Sequence, residues 1–305
     1  MKKIFPFFSI LIIGTSMLAA CQPTAAPATS TPSPIPTPTE KPAPWQTVAE
    51  LPAPPLMKLT GFNDATFGVS IGDDSQAVYT TDGGANWQPS KIGAFELFGL
   101  DIVDRTVAWT CGNRAVRITI DGARTWQTGS DFGDAAPNNF RFLSFLDAKT
   151  GWAATSTTLA ATSDGAATWT EPALPEGMGR IAAITLFAPG SGCLLAQSGA
   201  LYCTQDDGKT WNPAGAPPLD NLTIAKMNSP VAAMRFKDSN HGIIIIPAAA
   251  GGESQVVAFH TSDGGASWTQ ETVTTTFGFP VISHDGRILT LFCLPSRILV
   301  LQYNG

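Results

Sequence analysis

The sequence predicts an all-β protein, a ring of four-stranded antiparallel blades or β-propeller, and three observations carry that expectation. A short motif recurs five times along 305 residues: a Thr, an Asp two residues on, and a Trp five residues after the Asp. The five tryptophans, Trp87, Trp126, Trp169, Trp211 and Trp268, are 39, 43, 42 and 57 residues apart, so the unit is about 42 residues with one insertion. Each unit also holds four short apolar segments separated by turn signals, the pattern of one propeller blade.

The ends of the repeat region set the count. Trp45-Gln46 has the look of Trp87-Gln88 and Trp126-Gln127, the start of a fourth strand, yet nothing upstream can supply strands one to three. At the other end, Pro280–Ser283, Ile288–Phe292 and Ile298–Tyr303 offer three strands without a fourth. Pairing the two ends closes the ring and removes two open sheet edges. Six blades result. Seven is the alternative, if the insertion after Trp211 conceals a degenerate blade. In the third unit, strands are expected near Phe140–Phe145, Gly151–Thr155, Leu159–Thr162 and Thr168–Glu171.

Upstream of the repeats, Met1-Lys2-Lys3 is a short basic start and Ile4 to Ala20 a 17-residue apolar stretch, too short to favour a spanning helix over a secretory signal. Leu18-Ala19-Ala20-Cys21 resembles the bacterial lipobox, which implies a signal peptide over 1–20 and lipid on Cys21. More than one acyl chain is needed for stable anchoring, each buried CH₂ contributing about 0.8 kcal/mol. Residues 21–44, rich in Pro, Thr, Ala and Ser, cannot bury enough surface to offset ordering and favour polyproline II. They read as a stalk carrying the propeller of 45–305 on the outer side of the cell membrane.

Composition narrows the partners. The formal charge is −6, and without Lys2 and Lys3 16 basic residues face 24 acidic ones, a net of −8. That balance gives no footprint for nucleic acid or for an anionic lipid surface. No phosphate-cradling Gly loop, Ser-centred nucleophile elbow or metal-ligand spacing is present, and no cofactor is expected. His241, His260 and His284 fall in different turn or strand contexts and read as surface residues.

The repeated boxes are Thr80, Asp82 and Trp87; Thr119, Asp121 and Trp126; Thr162, Asp164 and Trp169; Thr204, Asp206 and Trp211; Thr261, Asp263 and Trp268. Each Asp falls at a hairpin between the third and fourth strands, where its carboxylate and the Thr hydroxyl can brace backbone groups. The Gly after Asp82, Asp121, Asp164 and Asp263 suits a positive φ. Five equivalent peripheral turns cannot converge on one substrate, and each lacks the several oxygen ligands calcium requires. The boxes therefore read as structure, with each Trp packing on its sheet.

These motifs resemble a known family. Thr-x-Asp-x-Gly-x-Thr-Trp, complete at Thr204–Trp211 and nearly so at Thr80–Trp87 and Thr261–Trp268, is similar to the Asp-box or bacterial neuraminidase repeat. Ala123 and Ala166 stand where Gly is usual. Its pairing with Phe-x-Asp-x-x-x-Gly-Trp, as in Phe145–Trp152, resembles more specifically the photosystem II stability and assembly factor-like propellers. The box also occurs in sialidases, xyloglucan-cleaving enzymes and sorting receptors, so the resemblance implies a fold and leaves activity open. A sialidase would need a Tyr nucleophile, an acid/base and an arginine triad. Tyr79, Tyr202 and Tyr303 all sit just before a box, a repeated structural position, and Phe140-Arg141-Phe142 matches the Arg-bearing start of sialidases only faintly.

Cys193 and Cys203 flank a turn at Gln197-Ser198-Gly199, which places them nearly opposite each other, as a disulfide or as two buried thiols. Cys111 and Cys293 fall in similar positions of different blades and read as core. Variable loops on a rigid scaffold are where binding is usually built. Here they join strands two and three and successive blades, with Asp73, Asp74, Asn113, Arg114, Asp131, Asp134, Asn138, Asn139, Arg180, Glu253, Arg297 and the insertion from Pro213 to Pro230. The function expected is a non-enzymatic binding or assembly scaffold at the membrane exterior, contacting protein or glycan through that face; the alternative is a sialidase-like glycoside hydrolase.

Overall fold

A computed structural model describes residues 44–93, 96–113, 115–131, 139–219, 223–224, 232–250, 253–276, 278–293 and 297–304. The expected signal peptide over 1–20, Cys21 and the expected stalk up to residue 43 lie outside them, as do Arg114, Asp134, Asn138 and part of the 213–230 insertion. The described chain is a six-bladed β-propeller, every ladder within a blade being antiparallel.

Strand β1 (Trp45–Pro52) comes first in sequence and last in the ring. Blade one is β2 (Met57–Phe62), β3 (Gly68–Gly72), β4 (Ala77–Thr80) and β5 (Gln88–Pro89); blade two is β6 (Leu97–Ile102), β7 (Ala108–Gly112), β8 (Ala115–Thr119) and β9 (Gln127–Asp131). Blade three holds β10 (Phe142–Phe145), β11 (Gly151–Ala154) and β12 (Leu159–Thr162). Its expected fourth strand is reduced to one bridge between Ala161 and Thr170. Pro172 and Pro175 follow at once, and proline cannot donate to a ladder.

Blade four is β13 (Ile181–Ala188), β14 (Ser191–Ala196), β15 (Leu201–Thr204) and β16 (Asn212–Ala214). Cys193 and Cys203 are direct register partners on β14 and β15 and are joined by a disulfide. Cys111 and Cys293 are free and buried. In blade five, β17 (Thr223–Ile224) and β18 (Ala233–Phe236) share the flank of β19 (Gly242–Ala250), followed by β20 (Glu253–Thr261) and β21 (Thr269–Thr274). The 57-residue interval thus goes into one enlarged blade, and its described residues form no seventh.

Blade six joins β22 (Phe279–Ile282), β23 (Ile288–Cys293) and β24 (Arg297–Tyr303) to β1. The register runs from Trp45 opposite Tyr303 to Pro52 opposite Arg297, with an irregularity at Val48, which is exposed. Arg297 Nη1 donates to Glu50 Oε1 at 2.7 Å, and the Trp45 and Tyr303 rings lie 5.1 Å apart.

Strands covered on both faces read as continuous apolar runs, as in Ile243–Ile246. The core lies between blades. Trp109 of β7 is fully buried and stacks on Phe145 of the next blade at 3.9 Å. Among the box tryptophans only Trp126 is buried; Trp87, Trp169, Trp211 and Trp268 are half-buried. The full burial energy of an indole therefore belongs to Trp109 and Trp152 rather than to most of the boxes.

Candidate functional site

Each box closes on itself. The Thr hydroxyl donates to its Asp Oδ1 at 2.7–2.9 Å in all five copies. The same hydroxyl accepts the amide four residues on, from Gly84, Ala123, Ala166, Gly208 and Gly265. The carboxylate also takes the backbone N–H and side chain of Asn86, Thr125, Thr168, Thr210 or Ser267. Hydrogen bonds from Thr168, Thr210 and Ser267 hold Asp164, Asp206 and Asp263 down at about 2, since donors favour the charged form. Ala123 and Ala166 take φ of 62° and 68°, the left-handed region that glycine occupies in the other copies.

The strand-two-to-three turns and blade connectors share the opposite end of the ring. Asp73 and Asp74 lie in the β3–β4 turn, Asn113 in the β7–β8 turn, Asn139 and Arg180 in the connectors entering blades three and four, and Arg297 at the start of β24. Asp131 and Glu253 are placed only as the last residue of β9 and the first of β20. Several of these are already engaged with neighbours: Asp73 pairs with Lys58, Asn113 Nδ2 donates to Glu96 Oε2, and Arg297 is tied to Glu50.

Two residues that the sequence did not connect meet at the centre. Asp101 on β6 and Arg235 on β18 belong to innermost strands of blades two and five, and Arg235 Nη2 donates to Asp101 Oδ1 at 2.7 Å. The pair is 3% and 8% exposed. Asp101 Oδ2 also accepts the Phe145 amide at 2.7 Å, which ties three blades to one carboxylate. Breaking such a pair on one side strands a buried charge. Toward the connector face lies a small cavity of about 70 Å³ lined by Arg141, Phe142, Ile184, Met234 and Val281.

Arg235 lines that cavity and, on the box face, also forms part of a hollow of about 860 Å³ that spreads from Leu146 of blade three to blade six. All three histidines of the chain line it. His241 Nδ1 lies 3.0 Å from both Asp238 oxygens, and His260 Nε2 is 2.7 Å from Glu271 Oε1 with its ring stacked on Tyr303 at 4.8 Å. His284 is partly buried and its Nδ1 has no partner; nor has Arg235 Nε. Burial and the Arg235 charge hold His284 below the usual imidazole range, against the pull of Asp101, Asp285 and Asp104. The expectation that the three histidines are surface residues holds for His241, which is exposed, and is corrected for His260 and His284, which are partly buried. Intervals of 19 and 24 residues match no ligand spacing, and only the blade period could have shown that the 241 and 284 turns are equivalent. Among the described residues no group of three or more His, Cys, Asp or Glu is placed to hold a metal.

Fold and hollow define an Asp-box β-propeller with its ring closed by β1 and with an open basin on the box face. Residues 94–222 match the family model of the photosynthesis system II assembly factor YCF48. Among solved structures, YCF48 bound to D1 peptide superposes with a TM-score of 0.52 at 15% identity, covering 86% of this chain and 98% of that one. YCF48 from Cyanidioschyzon merolae gives 0.51 at 14%, covering 86% and 99%. An ancestral GH74 enzyme gives 0.52 at 11%, covering 83% of this chain and 36% of that one. No curated protein matches the sequence. The chain resembles these proteins in fold.

Proposed function

We propose that the protein is a non-enzymatic, assembly-factor-type propeller that binds a segment of a protein partner on its box face. The single observation that carries this reading is the basin itself: an open hollow of about 860 Å³ whose acids are engaged in turns or ion pairs. Asp238 accepts the Asn240 and His241 amides, and Asp285 accepts the Ser283 hydroxyl and the Arg287 amide. Those amides hold the Asp238 carboxyl below its ordinary value, which makes it a poor general acid or base at neutral pH. The YCF48 likeness, with one such structure bound to a D1 peptide, supports a protein partner in kind. The lipobox-like Leu18–Cys21 and the stalk of 21–44 support a head held outside the cytoplasm by acyl chains on Cys21.

The sialidase-like alternative meets a physical objection at the one tyrosine in the basin. Burial and the Glu271 charge raise the Tyr303 phenol above its ordinary value, opposite to what an activated nucleophile needs. A fluorogenic sialoside should stay intact with the full-length protein.

Placing a photocrosslinking residue at Arg287 on the basin, or at Arg180 on the connector face, in the full-length protein in its native membrane tests the reading. Crosslinks to one defined protein from position 287 and not from 180 are expected. The reverse result would move the site to the connector face, and none from either would remove the reading.

A further inference from the structure

Inside the basin, two buried polar atoms are unmet. Arg235 Nε and His284 Nδ1 are two of five such atoms among the described residues, and both residues belong to the basin wall. A buried donor left unmet is costly, so a hydrogen-bond acceptor that reaches this wall gains a partner the free protein does not supply. Around them stand Lys237, Arg287, His241 and His260, with Asp238 and Asp285 as the opposing acids. The chain as a whole is acidic, so cations gathered at one concave place stand out against the net charge of −6.

Resting on the protein-binding reading above, we propose that the basin takes an acidic peptide segment, seats one of its carboxylates at Arg235 and His284, and holds it more tightly as pH falls. A peptide carboxylate has an ordinary pKa near 4 and stays ionised through the range in which imidazoles gain a proton. An anion brought beside His284 offsets the burial and the Arg235 charge that keep its ring neutral in the free protein, so the complex binds a proton that the free protein does not. Affinity therefore rises as pH falls, by at most about tenfold per pH unit for each proton taken up.

The three histidines contribute unequally because of what faces them. His241 faces Asp238, and His260 faces Glu271 and the Tyr303 ring, so each ring is already paired with a carboxylate. His284 faces Arg235, with Asp101, Asp104 and Asp285 acting at longer reach. Its ring has no paired carboxylate of its own. Most of the pH response is assigned to His284, and Arg287 and Lys237 supply attraction that is constant over the same range.

Fluorescence anisotropy of labelled hexaglutamate with the full-length, detergent-solubilised protein at pH 7.5 and 5.5 tests this, with hexaglutamine, inorganic phosphate and anionic phospholipid vesicles alongside. Hexaglutamate should bind about tenfold more tightly at pH 5.5, and hexaglutamine should not bind at either pH. His284→Gln should flatten the pH response to under about twofold. Arg287→Gln should weaken binding at both pH values, while Lys149→Gln, a cation on the same face over blade three, should leave it unchanged. Should His284→Gln melt early, the pair Lys237→Gln and Arg287→Gln keeps the site testable. Equal binding of hexaglutamine, an unchanged pH response in His284→Gln, or binding to vesicles or phosphate without hexaglutamate would overturn the proposal. Crosslinks from position 287 that persist without hexaglutamate binding would remove the acidic-peptide inference and leave the broader reading standing.

Discussion

The seams between blades are of two kinds. Between blades one and two, the Trp126 indole N–H donates to Ser90 Oγ at 2.7 Å, and Lys91 bridges Thr125. Trp211 donates to the Ala173 carbonyl and Trp268 to the Gly215 carbonyl, both at 2.8 Å, stitching blades three to four and four to five. At blade six the corresponding tryptophans are Trp45 and Trp87, and both indole nitrogens are buried without a partner. The comparison shows that the box tryptophan acts as much between blades as within one. It also shows that the blade completing the ring relies on its β1–β24 ladder and apolar packing instead.

That contrast can be tested at three scales. The largest effect should come from deleting Trp45–Pro52, which uncovers the whole edge of β24 and the core around Ile298, Val300 and Leu301. Large losses of core contact exceed the usual stability of a domain, so far-UV circular dichroism should show no cooperative melt. A shortened chain melting within a few degrees of the intact one would put the closing ladder among the dispensable parts. A smaller effect separates the two seam types. Trp211→Phe should cost about 1 kcal/mol in denaturant unfolding, the net worth of one hydrogen bond, and Trp87→Phe should be neutral or stabilising because it removes an unmet donor. Equal costs would erase the distinction.

The smallest effect concerns acid. Asp164, Asp206 and Asp263 have folded values of about 2 against an ordinary 3.8, so they are depressed on folding. Their stabilisation is fully present above about pH 4 and is lost as pH falls through about 2. Hydrogen exchange corrected for intrinsic rates should show the box hairpins losing protection between pH 4 and 2 ahead of the β1–β24 pair, which has no box. Uniform loss around the ring would contradict it.

Much of the architecture could be read from the chain because its determinants are local and repeated. Box spacing counted the blades, and Trp45-Gln46 identified the strand that closes the ring. The turn at Gln197–Gly199 set Cys193 opposite Cys203 in register. The missing fourth strand of blade three escaped notice because the Thr168–Glu171 run has strand composition, while Pro172 and Pro175 decide the ladder. The basin was illegible for a different reason. Asp101 and Arg235 are 134 residues apart, and nothing in either neighbourhood names the other. His241, His260 and His284 likewise come to line one hollow only when blades five and six are set side by side. Placement of the variable loops on the connector face followed from topology alone, whereas the concave surface lies on the face that repeats.

The Asn304 amide donates to the Pro44 carbonyl at 2.8 Å. A ring of equivalent blades can be cut at any hairpin, and here the cut falls at the position a sixth box would fill. Joining Asn304 to Pro44 through a short Asp-box loop and reopening the chain at another box would give a circular permutant with unchanged strands. Such a rearranged chain would carry a hairpin across the rim of the basin beside Tyr303 and His260. The seam between β24 and β1 thus lies at the rim of the hollow, beside Tyr303 and His260.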